Sequence, residues 1–193
     1  MKRKKAEGFS EDARQFLHIA FGIFIIGVLY FLGKQFTLLF LLAFICFSLL
    51  IINLRLIRVE NPFDFIFNRL ERRGHFPGKG ALFYLVGLLF LVSFSFSPTF
   101  ERGTIAILAV GDGASTLFGR RGKNPLSWNP KKTVEGLAAF LLFGFISSFY
   151  FFGILGAALC SLVLGLVETL DLGIDDNLSI PIAAVVLSLF LNL

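Results

Sequence analysis

The run Gly111-Asp112-Gly113-Ala114-Ser115-Thr116-Leu117-Phe118-Gly119-Arg120-Arg121-Gly122-Lys123 concentrates groups able to do chemistry. Asp112 follows the apolar residues 105–110, which places a carboxylate inside a membrane-embedded helix. An ionisable group there is costly and marks a candidate functional site. Asp112, Ser115, Thr116 and Gly119 recur at i, i+3, i+4 and i+7, hence on one small, polar helical face. That face ends in Arg120, Arg121 and Lys123. A carboxylate with cations one or two turns away suits a metal–phosphate ligand, the acid holding Mg2+ and the cations holding phosphate oxygens. An Asp–Arg pair that only ties two helices together would use the same residue types.

Two further stretches add charge. In Asn129-Pro130-Lys131-Lys132-Thr133-Val134-Glu135-Gly136, Asn129 with Pro130 reads as a helix cap and first helical position. The lysines and Thr133 then cluster at a helix N-terminus, where free N–H groups favour anions. An orientation-setting basic loop explains the lysines equally, but not a buried Glu135. In Glu168-Thr169-Leu170-Asp171-Leu172-Gly173-Ile174-Asp175-Asp176-Asn177, four carboxylates cluster, as for a divalent metal or for pairing with the basic loops. A solvated loop accounts for Asp171 more readily than for Asp175-Asp176-Asn177. Arg14, His18 and Gly22 share a face of the first helix, with His18 near the end of an apolar segment. His75 lies in Gly74-His75-Phe76-Pro77-Gly78-Lys79-Gly80, which lacks the spacing and the Ser/Thr of a phosphate-binding P-loop.

The elements that must position these residues are membrane helices. Of 193 residues, 56% are hydrophobic and 26 are Phe, and the mean hydropathy is +0.81. A soluble core of this size has no room for so much apolar surface. Seven segments suit spans of roughly 20 apolar residues, namely 16–32, 36–54, 80–97, 103–118, 136–152, 155–170 and 178–193. The fifth and sixth form one uncharged block with its break expected at 153–156. Pro181 falls one turn into the last helix, where it is tolerated. The expected fold is all-α, a single transmembrane bundle over residues 1–193, with residues 1–15 a basic cytoplasmic segment. No small-residue cleavage site follows the first apolar run, so no removed signal peptide is expected. Cys46 and Cys160 lie in apolar segments and read as packing residues.

With the N-terminus inside, 16 of the 18 Lys and Arg residues fall on the cytoplasmic side, Lys34 and Arg102 being the exceptions. This orientation bias, rather than nucleic-acid binding, accounts for a pI of about 9.5. Of 13 acidic residues only Glu101 falls outside. Both charge signs on one side point to a polar site at the cytoplasmic face of a cell membrane.

The chain resembles the family of dolichol kinases, phytol kinases and CTP-dependent diacylglycerol kinases, distant relatives of the phosphatidate cytidylyltransferases. The resemblance runs from Arg14 and His18 through Pro77-Gly78-Lys79-Gly80, Gly111-Asp112-Gly113, Gly119-Arg120-Arg121 and Lys132-Thr133-Val134-Glu135-Gly136 to Glu168 and Asp175-Asp176-Asn177-Leu178. It implies Mg2+-dependent phosphoryl transfer from CTP to the hydroxyl of a lipid alcohol in the bilayer. Carried over by position, Asp112, Lys132 and Glu135 would be catalytic, with Asp112, Asp175 and Asp176 serving the metal. Arg120, Arg121, Lys123, Lys132 and Thr133 would hold the nucleotide phosphates. Arg14, His18, Lys79, Glu168 and Asn177 would be substrate-binding or structural polar groups. Where family members often carry Asp or Ser after Ala on the Asp112 helix, this chain has Ser115-Thr116, so a second carboxylate is missing from that helix. A cytidylyltransferase attacking the α-phosphate is the rival enzyme. A small anion transporter is the rival of another class, disfavoured by one-sided charges and by the lack of visible repeats.

Overall fold

A computed structural model describes residues 2–59, 62, 78–95 and 97–191, with side chains placed from residue 11 to residue 190. Arg69, Arg72, Arg73, His75 and Pro77 lie outside the described residues. Helix accounts for all the regular structure among the described residues. The order is α1 (Lys2–Phe31), α2 (Gly33–Leu56), α3 (Lys79–Phe94), α4 (Pro98–Ala106), a π-helical turn (Ile107–Asp112), α5 (Gly113–Gly119), α6 (Val134–Thr169) and α7 (Asp176–Leu191). The basic residues from Lys2 onward continue directly into the apolar part of α1.

Among the described residues, three stretches are long and apolar enough to cross a membrane, Glu11–Phe31, Gly33–Leu56 and Val134–Thr169. Many of their large side chains have no protein neighbour to cover them. Phe31 is 80%, Tyr150 88% and Leu155 85% exposed, a pattern that suits lipid as the surrounding solvent. The interior is apolar and tightly filled, with Leu88, Leu91, Ile105, Ile107, Leu108, Phe140, Leu164 and Ile180 all fully buried.

α1 and α2 form an antiparallel pair, since Phe21 meets Phe44 and Phe24 meets Phe40, each with ring centroids 5.6 Å apart. α6 is also a hairpin. Gly153 has φ 65° and ψ −174°, a conformation that glycine adopts without the steric cost a Cβ would bring. The arms 134–152 and 154–169 then run back along each other, with Gly144 beside Ser161 and Gly165 beside Phe140. The break expected from sequence at 153–156 thus falls on Gly153.

The fourth segment begins earlier than its hydropathy indicates. Ser97 caps α4 by accepting the Phe100 N–H at 3.3 Å, and Pro98 occupies the first turn, where its missing N–H costs nothing. Glu101 and Arg102 therefore belong to a helix rather than to an outer loop. The start of α6 is corrected in the opposite direction. Its cap is Thr133, which accepts the Gly136 N–H at 3.2 Å, and not Asn129. The Asn129 side chain is committed elsewhere, donating to the Thr169 carbonyl at 3.0 Å and accepting from the Lys131 N–H at 3.1 Å. Residues 124–134 close into a small hairpin, with Leu126 N–H bonded to Lys132 O and Val134 N–H to Asn124 O.

α7 docks on α3 at Gly87. Pro181 lies inside α7 and supplies no N–H for the carbonyl of Asn177, four residues earlier. That carbonyl sits against Gly87, where a Cβ would collide with it.

Candidate active site

The helix ends nearest residues 12, 79, 120, 133, 169 and 176 meet at one end of the bundle. The Gly153 reversal brings both ends of α6 there, and α7 starts beside them. Asp112 reaches the same region from the π-helical turn, a local widening of the helix of a kind often found at functional sites. Asp112, Glu168 and Asp176 each present a carboxylate oxygen, and the three oxygens lie within 4.8 Å of one another. Asp112 is 7% and Glu168 2% exposed.

Lys132 closes this group. Its Nζ donates to Glu168 Oε1 at 2.5 Å and to Asp176 Oδ2 at 2.7 Å. Burial opposes the charge on Lys132, but the carboxylates of Glu168 and Asp176 outweigh it and hold the ammonium above its usual pKa range. Ser115 donates to the same Glu168 oxygen at 2.7 Å. The carboxylate missing from the Asp112 helix is thus matched by Glu168 of α6, bonded to the serine that stands near that position.

On the other side of Asp112 stands His18, with Nε2 3.7 Å from Asp112 Oδ2 and 3.2 Å from the Leu108 carbonyl of the π-helical turn. Its ring stacks on Tyr84 at 3.9 Å, and the Tyr84 hydroxyl donates to the His18 carbonyl at 3.2 Å. Tyr84 went unremarked in the sequence because a single tyrosine in an apolar helix has no distinguishing pattern.

Other candidates lie elsewhere or do other work. Asp175 is drawn to the start of α7, where its Oδ1 accepts from the Asn177 N–H and side-chain amide at 3.2 and 2.9 Å. Glu168 stands in its place among the converging carboxylates. Glu135 is half-exposed rather than buried. It accepts the Lys123 N–H at 2.9 Å and the Asn124 side chain at 2.9 Å, which braces the loop. Thr133 is occupied as the α6 cap and donates to the Gly119 carbonyl at 3.3 Å. Arg120 and Arg121 each pair with Asp12 of α1 at 3.4 Å. Lys123 is exposed. Arg14 pairs with Glu11 at 2.8 Å, and Lys79 lies over the Phe83 ring at 5.5 Å. Lys131 pairs with Asp171 at 2.7 Å, and this hydrogen bond holds the Asp171 carboxyl below its ordinary range.

Three carboxylates are hard oxygen donors, the set that suits Mg2+. One lysine faces all three, so Asp112, Glu168 and Asp176 have carboxylate oxygens to spare for a divalent cation.

Fold and site together define a helical membrane protein with a buried acidic centre closed by a lysine. Its relatives carry the description further. The chain is 31% identical to phytol kinase 1 of Arabidopsis thaliana over 126 residues, 55% of this chain and 41% of that protein. It is 31% identical to a probable phytol kinase 1 of Glycine max over 132 residues, 58% of this chain and 43% of that protein. These similarities support the resemblance to polyprenol and phytol kinases. It spans less than half the length of those two plant proteins. An uncharacterized protein of Methanocaldococcus jannaschii is 28% identical over 173 residues, covering 89% of this chain and 88% of that one. No protein-family model and no solved structure matches the chain.

Proposed function

We propose that the chain is a CTP-dependent, Mg2+-dependent kinase that phosphorylates the hydroxyl of a membrane lipid alcohol at the cytoplasmic face of a cell membrane. The observation that carries this reading is the convergence of Asp112, Glu168, Asp176 and Lys132 at one end of a largely apolar helical bundle. The phytol kinase relatives support the lipid-alcohol acceptor class. Among the described residues, seven helical segments, with α4, the π-helical turn and α5 counted as one and the two arms of α6 separately, suit a bundle whose charged end faces the nucleotide pool.

Phosphoryl transfer needs chiefly positioning and neutralisation of charge. Asp112, Glu168 and Asp176 would hold the Mg2+, which neutralises phosphate charge when bound. Lys132, bonded to Glu168 and Asp176, would contact a phosphate oxygen beside them. His18 and Ser115 fix the neighbouring carboxylates, the first through its approach to Asp112 and the second through its bond to Glu168. The apolar helices around this end let a lipid hydroxyl approach laterally while a nucleotide arrives from water.

The test is product analysis with purified protein, labelled CTP, the other nucleotides and a panel of lipid alcohols. CDP together with a phosphorylated lipid supports the kinase. Pyrophosphate together with a CDP-lipid would assign cytidylyl transfer instead, and absence of both products would remove the enzymatic reading.

A further inference from the structure

Trp128, the one tryptophan of the chain, has no part in the acidic centre, yet its setting is well defined. It lies in the turn of the 124–134 hairpin, and its Nε1–H donates to Thr169 Oγ1 at 3.1 Å. The ring is nevertheless 56% exposed. An indole whose polar edge is satisfied internally and whose face is uncovered suits a boundary between apolar and polar surroundings. The adjoining loop repeats the pattern, with Leu170, Leu172 and Ile174 46%, 52% and 49% exposed. The Lys131–Asp171 pair ties the two loops together. Residues 120–132 contain Arg120, Arg121, Lys123, Lys131 and Lys132 and no acidic residue, against Asp171 alone in the 170–174 loop.

We infer that the Trp128 hairpin and the 170–174 loop form an interfacial seat that rests in the headgroup layer of an anionic bilayer beside the site. Exposed apolar side chains flanked by cations match the two components of that layer, the upper acyl region and the lipid phosphates. The seat is coupled to the site through Thr169, which holds Trp128 and Asn129 and adjoins Glu168. The depth of the indole therefore fixes the level at which Lys132 and its carboxylates open, that of a lipid hydroxyl. The inference rests on the reading of the chain as a membrane-embedded kinase and adds where its acceptor enters.

With one tryptophan, fluorescence excited at the red edge, where the three tyrosines do not absorb, reports on this loop alone. The full chain is reconstituted in phosphatidylcholine vesicles carrying bromines either near the acyl carbonyl or near the chain end. Emission shifted to shorter wavelength, and quenched roughly twofold more by the shallow bromines, is expected. Replacing part of the phosphatidylcholine with phosphatidylglycerol should increase the shift, and indifference to headgroup charge would overturn the anionic assignment. An indole open to aqueous iodide and blind to both brominated lipids would overturn the seat, in protein that still resists alkaline extraction from the vesicles. Stronger quenching by the deep bromines would also overturn it. Quenching by CTP in lipid-free micelles would assign the ring to the nucleotide and overturn the inference too. Protein stripped from the vesicles by alkali would overturn the membrane reading along with it.

Discussion

Two buried acid–lysine clusters occupy opposite ends of the bundle, and they are built differently. At one end Lys34 donates to Glu101 at 3.0 Å and to the Ser95 carbonyl at 2.5 Å. Glu101 is 1% exposed, with one lysine for one carboxylate. At the other end one lysine faces Glu168 and Asp176, with Asp112 adjacent. The first pair is balanced and joins α2 to the α3–α4 turn, which is what a structural tie requires. The second sets three carboxylates against one lysine in a buried place, which a fold does not need for its own stability. A surplus of carboxylates, rather than burial or pairing, separates the candidate active site from the tie.

The sharpest test of that contrast sets Asp112→Asn against Glu101→Gln. Asp112→Asn should lower lipid phosphorylation by roughly a hundredfold or more while the protein still inserts and folds. Glu101→Gln should leave turnover nearly unchanged and lower stability by about 1–2 kcal/mol in a thermal melt. Near-normal turnover in Asp112→Asn would erase the distinction between the two ends.

Lys132→Ala comes next. Removing the one cation from among the carboxylates should cost about 2–4 kcal/mol of stability without metal. Added Mg2+ should then raise the melting temperature more than it does for the unaltered protein. The apparent affinity for CTP should weaken with lipid affinity little changed, and Lys132→Arg should restore it incompletely. Unchanged nucleotide affinity in the Ala variant would reduce Lys132 to a counter-charge, the role assigned to Lys34. A smaller effect is expected at Gly87, where Gly87→Ala forces α7 away from α3. Overpacking of that kind costs about 1–3 kcal/mol, and the shift of Asp176 should lower turnover as well. Least of all is expected from Asp171→Asn. The lowered pKa of Asp171 adds stability above its ordinary titration range that is lost as pH falls through the folded value. Both partners are largely exposed, at 77% and 57% for the Lys131 and Asp171 side chains. Solvent screens such a pair, and melts of the two proteins at neutral pH should coincide.

Hydropathy and charge made the helical segments and the shared end of the charged residues legible in the sequence. Glycine identity made the break at Gly153 legible, because an uncharged block too long for one span must turn where the backbone is freest. What escaped depends on contacts between distant segments. Asn129 has the residue type of a cap, but its side chain is used by Thr169, forty residues on. The sequence separates Glu168 from Asp175 and Asp176 without telling which of them turns inward, and the answer follows from Asp175 binding the first turn of α7. The π-helical turn before Asp112 leaves no residue signature, since it arises where the helix packs against Gly144. Trp128 was silent for a similar reason: its partner lies on the far arm of a hairpin.

The Gly153 reversal also bears on how the protein is made. Because α6 doubles back, Lys132 and Glu168 become neighbours as soon as 36 residues have been added after the lysine. Two helices joined by a tight turn can enter a bilayer as one unit with the turn leading, and the lysine and the glutamate then meet at the end that stays behind. Pairing lowers the cost of holding either charge close to hydrocarbon. Half of the polar centre is thereby assembled within one insertion step, before α7 emerges to deliver Asp176.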